Sequence, residues 1–264
     1  MAVLTDGQIQ ALFASGVVRH GPFAGLRYPV LTSVGSALYP KLLGSYEREI
    51  QGWIEEVCAA EYSEIVDVGC AEGYYAVGLA RRLPQARVYA YDIDPLAREL
   101  CTQMARANRV GRRVEVRERF QASELATIPV RRRGLLVCDC EGAESTIFTA
   151  RTCRRFADWD LLIETHDFLD ITISTELARL FHRTHELRQV LSVDDIQKAK
   201  HYEYPELAGL DLATRRLIVA EYRPTLMEWQ FHQARGSQRT RSSARVATPQ
   251  RPTARRGGTV RRAP

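Results

Sequence analysis

Two groups of residues in this chain have types and spacing that could do chemistry. The first is Asp67-Val68-Gly69-Cys70-Ala71-Glu72-Gly73, an acid followed by G-x-x-x-G, with a further acid, Asp92, closing the next apolar run. Paired glycines allow a tight turn and a close approach of backbone to ligand. A strand-end acid is placed to accept both hydroxyls of a ribose. The second group is Asp139, Glu141, Glu164, His166 and Asp167, carboxylates around an imidazole that titrates near neutrality. Such a set can take the proton of a hydroxyl as its oxygen attacks an electrophile.

Both groups need strands to carry them. Ile65 to Val68 is a β-branched run that reads as a buried parallel strand, and Tyr74 to Leu83 as a helix offering free N–H groups at its start. Pro84 ends that helix before a second strand, Arg87–Asp92. Asp94-Pro95 caps a further helix with the stripe Leu96, Leu100, Cys101, Met104, and Arg113–Arg117 follows as a third strand. Gly134–Asp139 and Asp160–Glu164 are the fourth and fifth. A helix over Ser174–Phe181, a strand near Leu187–Leu191 and the apolar run Leu217–Ala220, taken as the final strand, complete the set. Upstream, Tyr46, Ile50, Trp53, Ile54 and Val57 fall at helical spacing, with Ser45 as N-cap. Strand–helix alternation predicts an α/β, Rossmann-like doubly wound sheet, mostly parallel, with its ligand over the carboxyl ends of the strands.

The spacing separates two cofactors. A dinucleotide fingerprint wants G-x-G-x-x-G, but its second and third glycine positions here are Ala71 and Tyr74. The acid followed by G-x-x-x-G resembles motif I of class I S-adenosylmethionine methyltransferases. That resemblance implies a seven-stranded sheet with an antiparallel edge, and S-adenosyl-L-methionine as cofactor. The residues expected to bind it are Tyr46, Asp67, Gly69, Cys70, Ala71, Glu72, Gly73, Tyr74, Asp92, Ile93 and Asp139. Tyr46, Tyr74 or Tyr75 could offer a π-face to its sulfonium.

A narrower resemblance lies in Val137-Cys138-Asp139-Cys140-Glu141-Gly142-Ala143-Glu144 with Ile163-Glu164-Thr165-His166, which is similar to FkbM-type methyltransferases across roughly Ile65 to Asp167. The departure is Val137, where that family usually has lysine. Membership implies O-methylation of a sugar or other small hydroxylated acceptor. From the residues themselves, His166, Glu141 and Glu164 are the catalytic candidates, with His166 as base. A histidine that only orders a loop through hydrogen bonds is the alternative. Asp139, Glu164 and His166 would also suit Mg²⁺ or Mn²⁺, but no sharp ligand motif accompanies them and no metal is expected. An N/D-P-P-Y motif, a cysteine beside proline and a paired-glutamate loop are missing, which weakens base-amino, cytosine-C5 and arginine methylation. A non-catalytic S-adenosylmethionine-binding module would need no acids around His166.

At 264 residues, 45% hydrophobic and 26% charged, the chain is long enough for one substantial domain with additions. Residues 1–45 are expected to form an ordered extension across a domain spanning 46–231. The net charge of +5 is misleading. Nine arginines and no Asp, Glu or Lys stand from Arg235 onward; without them 28 basic residues face 32 acidic ones, about −4. Residues 232–264 are expected to be a disordered, Arg-rich tail. A solubilising role is preferred over weak contact with nucleic acid or another polyanion, because no aromatic is present for stacking. RNA- or protein-directed methylation through the tail is the competing function. No membrane segment is apparent, and six cysteines without a C-x-x-C pair suit a reducing cytoplasm.

Overall fold

A computed structural model describes residues 1–236. The strands are β1 (Glu64–Val68), β2 (Arg87–Tyr91), β3 (Val114–Arg117), β4 (Gly134–Cys138), β5 (Trp159–Thr165), β6 (His185–Leu191) and β7 (Glu228–Ala234). The helices are α1 (Asp6–Leu12), α2 (Leu38–Leu43), α3 (Gln51–Cys58), α4 (Tyr74–Arg82), α5 (Pro95–Ala107), α6 (Glu144–Ile147), α7 (Ile173–Phe181), α8 (Asp195–His201) and α9 (Leu212–Val219).

One seven-stranded sheet runs β3-β2-β1-β4-β5-β7-β6. The first five are parallel, and β7 lies antiparallel between β5 and β6. The chain enters mid-sheet at β1, walks outward to β3, then returns to β4 on the other side. That reversal opens a crevice at the carboxyl ends of β1 and β4. Register fixes what meets there: Val68 pairs with both Tyr91 and Cys138, and Cys138 with Ile163, so Gly69, Asp92, Asp139 and Glu164 come level.

Alternate side chains build two cores. Ile65, Val88 and Leu135 join the α4 residues Ala76, Val77 and Leu79 on one face. Val66, Tyr89, Leu136 and Ile163 meet Phe148, Phe156 and Phe181 on the other. Phe23 of the N-terminal segment packs on α4, where a Cβ at Gly78 would lie 2.7 Å from its ring, while Leu4 donates its N–H to Thr214 of α9 at 3.2 Å.

Three expectations are corrected. Ser45 is not a helix cap: its hydroxyl has no partner and α3 starts at Gln51 after one 3-10 turn. Glu47 stands between them with φ 47°, held away from helical geometry by its buried partners. Leu217–Ala220 is not a strand; Asp211 accepts the Thr214 N–H at 2.7 Å and caps a helix burying Thr214, Ile218 and Val219. The last strand is β7, so His232, Gln233 and Ala234 belong to the sheet rather than to the tail. The rest of that tail, beyond Gly236, lies outside the described residues.

Candidate functional site

A cleft of about 400 Å³ opens over the crevice, lined by Tyr46, Asp67, Gly69, Cys70, Ala71, Tyr74, Asp92, Ile93 and Asp139 among others. Gly69 is required sterically: at φ +84°, a Cβ would sit 1.6 Å from the Asp139 carbonyl oxygen. Gly73, in left-handed geometry at φ 102°, is the N-cap of α4. Each Asp92 carboxylate oxygen accepts one backbone N–H, from Ala71 and Asp94 at 2.9 Å, leaving lone pairs for further donors. Asp67 is buried with Oδ2 unpartnered. Burial, with Asp139 nearby, pushes its pKa up to about 8. An orphaned acid beside a glycine turn is what a bound ammonium would satisfy.

Two expected residues sit elsewhere. Gly73 acts through the backbone and does not line the cleft. Glu72 turns away from it into residues 28–41, accepting bonds from the Lys41 ammonium at 2.7 Å, the Tyr28 hydroxyl at 3.0 Å and the Val34 N–H at 3.1 Å. Burial would raise Glu72, but Lys41 outweighs it and holds the carboxyl below its ordinary value. Lys41 Nζ also lies 4.9 Å from the Tyr46 ring centre and 5.6 Å from that of Tyr74, so these rings already face a cation. Its segment, Val34 to Ser36, forms one wall of the cleft.

The second group converges at the ends of β4 and β5. His166 Nδ1 meets Glu144 Oε1 at 2.8 Å, and both side chains are buried. The Nε2 side faces Asp139 and Glu141 at 3.5 Å and Glu164 at 3.9 Å. Burial would depress His166, but the hydrogen bond and charge of Glu144, with Asp139 and Glu141, raise it above its ordinary value. Glu164 is raised by burial and by Asp139. Asp139 and Glu141 line the cleft, whereas His166 lies behind them. Glu141 is 69% exposed and holds φ 53°, a left-handed backbone costing about 1 kcal/mol or more for a residue with a Cβ. Asp167 accepts the Ser174 N–H at 2.9 Å, at the start of α7, and joins neither group.

Sequence reasoning missed Arg223, Glu47, Glu221 and Lys198. The Arg223 guanidinium pairs with Glu164, with Glu47 at 2.7 Å and with Glu221 at 2.9 Å. Lys198 reaches Glu221 at 2.6 Å. Burial, eased by Arg223, leaves the Glu47 carboxyl raised to about 7. No local motif marks any of these residues; left-handed backbone at Glu47 and at Tyr222, between Glu221 and Arg223, is visible only in the structure. Asp139, Glu164 and His166 have ligand atoms within 4.8 Å of one another, as do Cys138, Cys140 and Glu144. Arg223 already occupies Glu164 and Glu144 already engages His166, so we assign an ion to neither set.

Residues 53–128, from α3 past β3, match the family model described as the methyltransferase small domain. No curated protein matches the chain. A crystal structure of cofactor-bound Rv0187 from MTB superimposes with a TM-score of 0.50 at 13% identity, over 72% of this chain and 80% of that one. A putative O-methyltransferase from Klebsiella pneumoniae gives 0.47 at 10% identity, over 73% and 81%. An rRNA methylase from Streptococcus thermophilus gives 0.47 at 11%, over 71% and 97%. The first likeness shows the fold alone. Taken with the glycine turn and Asp92, the small-domain match indicates S-adenosyl-L-methionine as the cofactor.

Proposed function

We propose that this protein transfers a methyl group from S-adenosyl-L-methionine to a hydroxyl oxygen of a small, sugar-type or similarly hydroxylated acceptor. The observation that carries the reading is the Glu144–His166 pair, whose Nε2 faces the two carboxylates that line the cofactor cleft. When bound, S-adenosyl-L-methionine supplies an electrophilic methyl to an in-line nucleophile. Asp92 would hold its ribose and Asp67 its ammonium, with Tyr46, Tyr74, Cys70, Ala71 and Ile93 packing around it.

Asp139 and Glu141 at the cleft surface receive the acceptor hydroxyl. Glu144, by accepting the Nδ1 proton of His166, sets the tautomer that leaves Nε2 free as a base. The proton released by the hydroxyl comes to rest on that imidazole, where Glu164 and Asp139 stabilise the cation. The D-x-E-G-x-E run favours an FkbM-type enzyme, because its acids Asp139, Glu141 and Glu144 all meet His166. Six free cysteines favour a reducing cytoplasm. No helix among the described residues is long and apolar enough to cross a membrane.

Calorimetry with S-adenosylhomocysteine tests the cofactor half: wild type should bind it and Asp92→Ala should weaken binding by at least about tenfold, two charged hydrogen bonds being lost. A panel of hydroxylated acceptors then tests the chemistry. His166→Ala should lower kcat by roughly a hundredfold while leaving S-adenosylhomocysteine affinity nearly intact. Normal turnover in that variant would remove His166 from the reaction. Activity lost on chelation and restored by Mg²⁺ would give Asp139, Glu164 and His166 to a metal instead.

A further inference from the structure

Arg223 belongs to neither sequence group, yet its side chain links the carboxylates around His166 to the segment that carries Tyr46. It sits in the loop between α9 and β7, with only 13% of its side chain exposed. Its fork reaches two distant segments, Glu164 at the end of β5 and Glu47 beside the cleft-lining Tyr46, and braces on Glu221 in its own loop. The network is closed by further bonds. Glu221 accepts the Glu47 N–H at 3.0 Å, and the Tyr75 hydroxyl donates to Glu47.

We propose that Arg223 is a positioning residue of the transfer site, clamping the wall that carries Tyr46 to the carboxylate cluster around His166. This rests on the methyl-transfer reading and adds to it the group that keeps its two halves in register. Three buried carboxylates meeting at one point repel each other, and a planar guanidinium satisfies them in directions a lysine cannot. Glu164 in turn faces His166 Nε2 with its other oxygen. Arg223 therefore acts through Glu164 and Glu47, not on the acceptor.

The sign of the pH effect follows from charge alone. Taking one positive charge from a coupled cluster raises the pH at which the cluster gives up its proton, whichever member holds it. The acid limb of activity should therefore move to higher pH in Arg223→Gln.

The test uses the full chain. Arg223→Gln should lower kcat roughly a hundredfold with its acid limb shifted upward, while S-adenosylhomocysteine affinity falls by no more than about tenfold. Arg223→Lys should recover the pH profile but only part of kcat, since it restores charge without the fork. Glu221→Gln, which loosens one arm and takes a negative charge from the cluster, should shift the profile to lower pH instead, and it guards against an Arg223→Gln chain that does not fold. Hydrogen exchange needs no acceptor: protection at residues 45–50 should drop about tenfold in Arg223→Gln or Glu221→Gln. Turnover within about threefold of wild type, or a loss of kcat with an unmoved pH profile and a matching loss of cofactor affinity, would overturn the proposal. If wild type binds S-adenosylhomocysteine but methylates no hydroxyl, the functional reading fails by itself; unchanged exchange at 45–50 then decides against the clamp, and faster exchange decides for it.

Discussion

Replacing Lys41 by methionine tests how residues 28–41 are fastened over the cofactor cleft. Lys41 and Glu72 are 3% and 2% exposed and 2.7 Å apart. Removing one partner of a buried ion pair costs about 3–5 kcal/mol, because the other charge is left without compensation. Glu72 would keep the Tyr28 hydroxyl, the Val34 N–H and the Ser33 hydroxyl, at 3.0, 3.1 and 3.2 Å. That retained set places the loss near the lower end, about 3 kcal/mol, or roughly 6–12 °C in Tm for a chain of this size. In the wild type the Glu72 carboxyl lies below its ordinary value, so its contribution is present above the unfolded carboxylate pKa and is lost as pH falls through the folded one. In Lys41→Met only burial and neutral donors act on Glu72, its pKa rises, and it folds protonated at mildly acidic pH. The penalty should therefore be larger at pH 8 than at pH 5. Urea unfolding at both pH values measures it, and Lys41→Met/Glu72→Gln should recover at least about 1 kcal/mol at pH 8 by removing the stranded charge. Because Val34 to Ser36 line the cleft, S-adenosylhomocysteine affinity should drop in the single variant. A loss under about 1 kcal/mol, or one identical at pH 5 and pH 8, would refute the reasoning.

Three further outcomes are expected. Gly69→Ala should destabilise by about 2 kcal/mol or more and abolish detectable S-adenosylhomocysteine binding by calorimetry, since its φ of +84° and the Asp139 carbonyl at 1.6 Å from the new Cβ force the β1 turn apart. Glu144→Gln removes the charge that most raises His166, so the acid limb of activity should move to lower pH while kcat falls by roughly a hundredfold; an unmoved limb would show that His166 is not the titrating group. A chain ended after Gly236 should keep wild-type Tm and S-adenosylhomocysteine affinity, because Arg235 is the last residue seen bonded to the sheet region, through Thr184 and His185.

What the sequence determined by itself was whatever is encoded between near neighbours. The run from Ile65 to Gly73 states strand, turn and helix start within nine positions, and Asp94-Pro95 caps α5 through the Leu96 N–H. Such signals depend on backbone geometry and on bonds a few residues long. The four acids and the imidazole near Asp139 and His166 were legible for the same reason, since they cluster at two strand ends, although that His166 lies behind Asp139 and Glu141 was not. The tertiary structure decided the rest. Arg223 meets Glu164 and Glu47 across 59 and 176 positions, separations at which no periodicity survives. β7 was hidden because Gln230 and His232 are buried polar residues that break the apolar pattern of a core strand. They are tolerated only because Gln230 donates to the Ser174 carbonyl at 2.9 Å and to Glu228 at 2.8 Å, and bonds His232 at 2.8 Å. Leu217–Ala220 failed in the opposite way: four apolar residues fit strand and helix equally, and only burial of Thr214, Ile218 and Val219 on one side settled it as α9. A hydrophobic pattern records which side chains leave water; which distant partner receives a buried polar group is fixed only when the chain has closed around it.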